Sequence, residues 1–148
     1  MTTLEAEVAV ARRLALEAGA LVLGLRGTGL RVEMKPGEEP VTRADREASR
    51  VIVDGLSAAF PSDAIVSEED PVDLGGLAAA ERAWFVDPLD GTREFVRGLE
   101  TFSVMIGLAV HGRPRLGIVF QPARDRLYLA APGRPAVRID RGETRELR

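Results

Sequence analysis

The chain has 148 residues, 45% of them hydrophobic, enough for one domain with its own core. Its net charge of −3 leaves no basic footprint for a nucleic-acid polymer, and the absence of cysteine excludes disulfides, thiolate metal sites and cysteine nucleophiles. With His111 as the only histidine, a Ser-His-Asp triad would have to be built on that residue.

Leu4 to Leu25 reads as an amphipathic helix, with Val8, Ala11, Ala15, Ala18 and Val22 at helical spacing. Arg12, Arg13 and Glu17 spoil this segment as a signal peptide, and no apolar run approaches the roughly 20 residues that span a bilayer. A cytoplasmic protein with no membrane partner is expected. Arg31 to Met34 is a candidate short strand, and Lys35 to Pro40 a polar loop. Thr42 suits a helix N-cap, with Asp45 and Glu47 in the first turn, and Pro61 ends that helix after Phe60. Ala64 to Ser67 is a short strand delivering Glu68 and Glu69, within an acidic cluster that includes Asp70 and Asp73. Pro71 to Arg82 reads as loop with some helix, and Ala83 to Val86 as a second apolar strand. Beyond it come strands at Phe102 to Val110 and Leu116 to Gln121, joined by a hairpin connection over His111 to Pro114. Strands at Arg126 to Ala131 and Ala136 to Ile139 follow. The order predicts an α+β domain, two N-terminal helices packed on a largely antiparallel sheet, over residues 1–148.

The informative stretch is Trp84-Phe-Val-Asp-Pro-Leu-Asp-Gly-Thr-Arg-Glu-Phe95, where an apolar strand runs into two acids three residues apart. Magnesium takes oxygen ligands in a near-octahedral shell, usually one or two carboxylates together with water and phosphate oxygens. Asp87 and Asp90 flank Pro88 in a stiff turn and can face one point, with the Leu89 carbonyl between them and Glu68 arriving from the neighbouring strand end. Bound cations would invert the sign of this acidic pocket and let it receive a phosphate. Gly91 admits close backbone approach, and the N–H groups of Gly91 and Thr92 suit phosphate oxygens if a helix starts there. The Thr92 hydroxyl can orient an attacking water, with Asp45 as its acceptor.

Each feature also has a plainer reading. Asp-Pro-x-Asp-Gly is ordinary turn chemistry, Glu68-Glu69-Asp70 a solvated loop, and Asp45 a helix-start residue favouring the dipole. Trp84 and the alternating Phe102, Val104 and Ile106 read as core. The coincidence of acids at the ends of two apolar strands favours the metal site.

Three blocks in order, Pro40-Val-Thr-Arg-Ala-Asp45, Val66-Ser-Glu-Glu-Asp-Pro71 and Trp84 to Phe95, resemble the inositol monophosphatase superfamily of Mg²⁺-dependent, lithium-sensitive phosphatases. Ser-Glu-Glu-Asp-Pro and Asp-Gly-Thr-Arg-Glu-Phe are most similar to the CysQ-type 3′(2′),5′-bisphosphate nucleotidases. The resemblance implies the N-terminal half of a layered αβαβα sugar-phosphatase fold, without the usual C-terminal α/β domain. It implies two or three Mg²⁺ ions per complete site. Glu68, Asp87, Leu89 and Asp90 would be metal ligands and Gly91 and Thr92 phosphate contacts. Thr92 and Asp45, assisted by Glu68, would activate water, with Glu69 in support and residues 27–40 as a loop beside the site. The implied reaction is hydrolysis of the 3′-phosphate of adenosine 3′,5′-bisphosphate. Alternatives are an inositol monophosphatase or other sugar phosphatase, including a fructose-bisphosphatase-like enzyme, or an inactive or partner-requiring fragment. A half fold would also expose an apolar sheet face, from which homodimerisation or self-association is expected.

Overall fold

A computed structural model of the chain describes residues 3–26, 32–35, 39–68, 70 and 74–148, with only the backbone of 32–35 and 39–42. Glu69 and most of the 27–40 segment expected beside the site fall outside the described residues.

Helix α1 spans Glu5–Arg26 and buries a stripe of Val8, Ala11, Leu14, Ala15, Ala18, Val22 and Leu25. These positions recur every three or four residues, the period of one helical face. A hairpin of β1 (Val32–Lys35) and β2 (Glu39–Thr42) leads into α2 (Arg43–Ala59), which buries Ala44, Asp45, Ala48, Ser49, Ile52 and Leu56. Two glycines set how closely the layers approach. A Cβ on Gly55 of α2 would fall inside the Leu14 side chain of α1, and one on Gly19 inside the Phe120 ring.

The helices cover one face of a seven-stranded sheet. In chain order its strands are β3 (Ala64–Ser67), β4 (Arg82–Asp90), β5 (Ser103–Val110), β6 (Arg113–Gln121), β7 (Arg126–Ala130), β8 (Val137–Asp140) and β9 (Glu143–Glu146), each neighbour to the next. Helix α3 (Leu74–Ala79) lies between β3 and β4, and α4 (Thr92–Val96) follows β4. All pairs are antiparallel except β3–β4, whose parallel register sets Ser67 beside Val86. Val86, Val104, Ile106, Leu108, Leu116, Ile118 and Leu129 alternate toward the helices, each such burial contributing about 2 kcal/mol. Trp84 is wholly buried and stacks on Phe60 with ring centroids 5.5 Å apart, a core residue as expected.

The opposite face carries Val66, Phe85, Met105, Gly107, Gly117 and Val119 around an apolar groove of about 450 Å³, and Phe85 is 45% exposed. The two glycines are register partners, which removes side-chain bulk from the groove floor.

Local expectations differ at four places. Lys35 to Pro40 is not loop throughout, since Lys35 closes β1 and Glu39 and Pro40 open β2. Strand β4 extends to Asp90, so both acids lie within it, and its register with β5 shifts between Asp87 and Asp90. Pro88 has no N–H to give a ladder, so an irregularity is natural there. The β5–β6 connection is only His111-Gly112, at φ +50° and +75°, and Arg113 and Pro114 belong to the strand. Two central residues at positive φ are what a tight hairpin turn of strand-compatible twist requires. Strand β9 was not expected, because Glu-Thr-Arg-Glu has no apolar alternation; it is exposed throughout, the charged edge that discourages further strand pairing.

Candidate active site

Strand β4 is held at both ends. At the strand's start, Asp63 accepts from Arg82 through both its oxygens, at 3.0 and 3.1 Å from Nε, and from Trp84 Nε1 at 2.9 Å. Arg82 also donates to Glu7 of α1 at 2.9 Å. This cluster fixes β4 against α1 and the α2–β3 turn. At the strand's far end, the Glu68 N–H donates to the Val86 carbonyl at 3.2 Å, continuing the parallel ladder and setting Glu68 next to Asp87.

Asp87 is half-buried, while Glu68 and Asp90 are exposed. Burial, followed by a hydrogen bond and the charge of Glu68 and the charge of Asp90, pushes the Asp87 carboxyl up to about 7. Its Oδ1 is buried without a hydrogen-bond partner. Asp87 thus interacts with both other acids, although among the described residues no three His, Cys, Asp or Glu side chains stand in a ready-made ligand group.

The second half of the site comes from α2 and α4. Thr92, first residue of α4, donates its hydroxyl hydrogen to Asp45 Oδ1 at 2.9 Å and has the Leu89 carbonyl as a second acceptor at 3.2 Å. Asp45 is only 2% exposed although it opens a helix. It does stand in the first turn of α2, where a carboxylate favours the helix dipole, and it accepts from Thr92 as well. One turn further along α2, Ser49 Oγ lies 2.7 Å from Ser67 Oγ, both buried, tying the helix of Asp45 to the strand that ends at Glu68. Gly91 takes φ +85°, and a Cβ there would sit 3.2 Å from Glu94 and 3.4 Å from the Phe102 backbone, so this turn is suited to glycine.

Of the residues singled out from the sequence, Thr92 and Asp45 are directly bonded, the Leu89 carbonyl faces that same hydroxyl, and Glu68 and Asp87 are adjacent. His111 lies elsewhere, in the β5–β6 turn beside Glu81 at 3.4 Å. Ser49, Ser67, Asp63, Arg82 and Arg26 escaped sequence reasoning. Their partners lie 18 or more positions away along the chain, beyond the reach of local pattern.

Comparison with known proteins extends the picture. The inositol monophosphatase family pattern matches residues 3–144. A histidinol-phosphatase of Chlorobaculum parvum is 41% identical over 128 residues, 86% of this chain and 48% of that protein. The 3′(2′),5′-bisphosphate nucleotidase CysQ of Escherichia coli is 44% identical over 103 residues, 70% of this chain and 42% of its own length. Among solved structures, the extragenic suppressor protein suhB of Bartonella henselae superposes with a TM-score of 0.84 at 32% identity, covering 93% of this chain and 53% of suhB. The chain therefore spans about half the length of the relatives it matches.

Proposed function

The chain belongs to the inositol monophosphatase family, and from that premise we propose that it carries the metal and water-activating half of a Mg²⁺-dependent phosphomonoesterase. The observation that carries the reading is Asp87: a carboxylate crowded by Glu68 and Asp90, with one oxygen buried and unpartnered. Such a group is short of positive charge, and a hard divalent cation accepting oxygen ligands answers that need. The donor set is all oxygen and lacks cysteine or histidine, which fits Mg²⁺ better than a softer metal.

Glu68, Asp87, the Leu89 carbonyl and Asp90 would hold the ions, with Asp87 shared between two of them. When bound, the ions supply charge to receive a phosphate, acidify water and stabilise the leaving oxygen. Asp45 orients the Thr92 hydroxyl, and Thr92 in turn holds the attacking water in line, with Glu68 assisting. At Gly91 the left-handed turn leaves no side chain between backbone and phosphate, which supports a phosphate contact at Gly91 and Thr92.

A small phosphorylated metabolite is the substrate class. The CysQ wording of the motifs and the 44% identity to a CysQ support adenosine 3′,5′-bisphosphate, cleaved at its 3′-phosphate. Histidinol phosphate is a second reading, favoured by the longer match to a histidinol-phosphatase. The test is phosphate release from these two compounds and inositol monophosphate, with and without Mg²⁺ and Li⁺. Release that requires Mg²⁺, is inhibited by Li⁺ and is fastest with the bisphosphate supports the reading. Release of equal rate without any divalent ion would overturn it.

A further inference from the structure

We propose that Arg26, the last residue of α1, is a positioning residue for the Thr92 hydroxyl; the inference rests on the role given to Thr92 above. Its guanidinium donates to the Phe95 carbonyl from Nε at 3.1 Å and Nη2 at 2.8 Å, to the Glu94 carbonyl at 3.4 Å, and to the Leu99 carbonyl. The same group lies over two aromatic rings, 5.0 Å from the Phe95 centroid and 4.6 Å from that of Phe102, which themselves meet edge to face at 5.2 Å.

Helix α4 has five residues, too few to hold together without tertiary support, and its Glu94 and Phe95 carbonyls accept from the Leu99 and Gly98 N–H groups just beyond it, at 2.9 and 3.1 Å. Arg26 gives these two carbonyls a second donor and supplies the tertiary tie, fastening the end of α4 to α1 from 69 residues away in the sequence. The effect reaches Thr92 by a short path. The Phe95 carbonyl accepts from Arg26, and the Phe95 N–H donates to the Gly91 carbonyl at 2.9 Å, immediately before Thr92. From the other side, Phe102, whose ring lies under Arg26, sets its Cα and Cβ close to Gly91, 3.4 and 3.6 Å from where a Cβ on that glycine would stand. Loss of the clamp frees the end of α4, and the Thr92 hydroxyl, first residue of that helix, then samples positions away from Asp45. Lysine would replace it only in part, since a point-charged ammonium lacks the planar fork that serves several carbonyls at once.

Hydrogen exchange and steady-state kinetics on Arg26→Ala and Arg26→Lys test this. In Arg26→Ala the amides of Phe95, Arg97, Gly98 and Leu99, all hydrogen-bonded within this segment, should exchange about 10-fold faster or more, while β5 and β6 keep their protection. For phosphate release, kcat should fall about 10-fold or more with KM within about twofold, because orientation rather than substrate binding is lost. Arg26→Lys should recover part of both. Unchanged exchange over residues 92–99, faster exchange spread evenly through α1, β5 and β6, or a raised KM with kcat intact would overturn the proposal. If the unaltered chain releases no phosphate, the phosphatase reading falls, and the exchange pattern alone decides whether Arg26 holds the segment.

Discussion

Thr92 donates its hydroxyl to Asp45 across 47 positions of sequence, at 2.9 Å, joining the start of α4 to the first turn of α2. The bond gives the hydroxyl a fixed direction, which a water-orienting group needs. Removing it in Thr92→Val should lower phosphate release about 100-fold while leaving Mg²⁺ affinity close to that of the unaltered chain. Thr92→Ser should keep most of the activity. Combining Thr92→Val with Asp45→Asn should add little further loss, the mark of two groups acting as one unit; kcat from the four chains measures this.

Asp87→Asn separates stability from function. The substitution removes the charge that Glu68 and Asp90 repel, so the metal-free protein should melt at a higher temperature than the unaltered chain. The same change should abolish Mg²⁺-dependent phosphate release, because one carboxylate would serve both ions. Thermal melts and phosphate assays on the same preparation check both halves.

The raised Asp87 carboxyl sets a pH dependence. The unfolded chain releases this proton near 3.8, whereas the metal-free fold keeps it to about 7. Through that interval the native state binds more protons than the unfolded state, so stability is fully present below it and declines as pH rises. Metal-free protein should therefore melt progressively lower from pH 5 to pH 8. Added Mg²⁺ should raise the melting temperature most at pH 8, where the proton no longer competes with the ion.

The Asp63 cluster should matter for stability in the ordinary sense. Asp63 is 9% exposed and accepts from both Arg82 and Trp84. Asp63→Ala leaves the Trp84 N–H in the core without its acceptor and Arg82 with Glu7 as its remaining carboxylate partner. A loss of about 2–3 kcal/mol is expected, moderated because Arg82 is 25% exposed. Denaturant unfolding measures it, and a loss under about 0.5 kcal/mol, the size of a surface change, would contradict the role given to the cluster.

The sequence announced the site's acids because three short blocks each place them beside an apolar run or a helix start. Long periodic elements such as α1 and α2 were legible for the same reason: their buried faces repeat within the chain segment itself. What escaped was set by partners distant in sequence. Nothing near Arg26 indicates that it will meet the Phe95 carbonyl, and nothing near Ser49 names Ser67. Strand β9 was hidden because its pairing is purely backbone, between polar residues. The extension of β4 through Pro88 ran against the expectation of a strand ending at Val86 with a stiff turn after it, and it is the β3–β4 parallel register that brings Glu68 to Asp87.

Asp87 and its neighbouring acids are proposed to hold a divalent cation. Calorimetric titration of Mg²⁺ at pH 8 into the unaltered chain and into Asp87→Asn tests it most directly. Mg²⁺ should bind saturably to the former and not to the latter. Equal heats in both chains, or no saturable binding to the unaltered one, would contradict it.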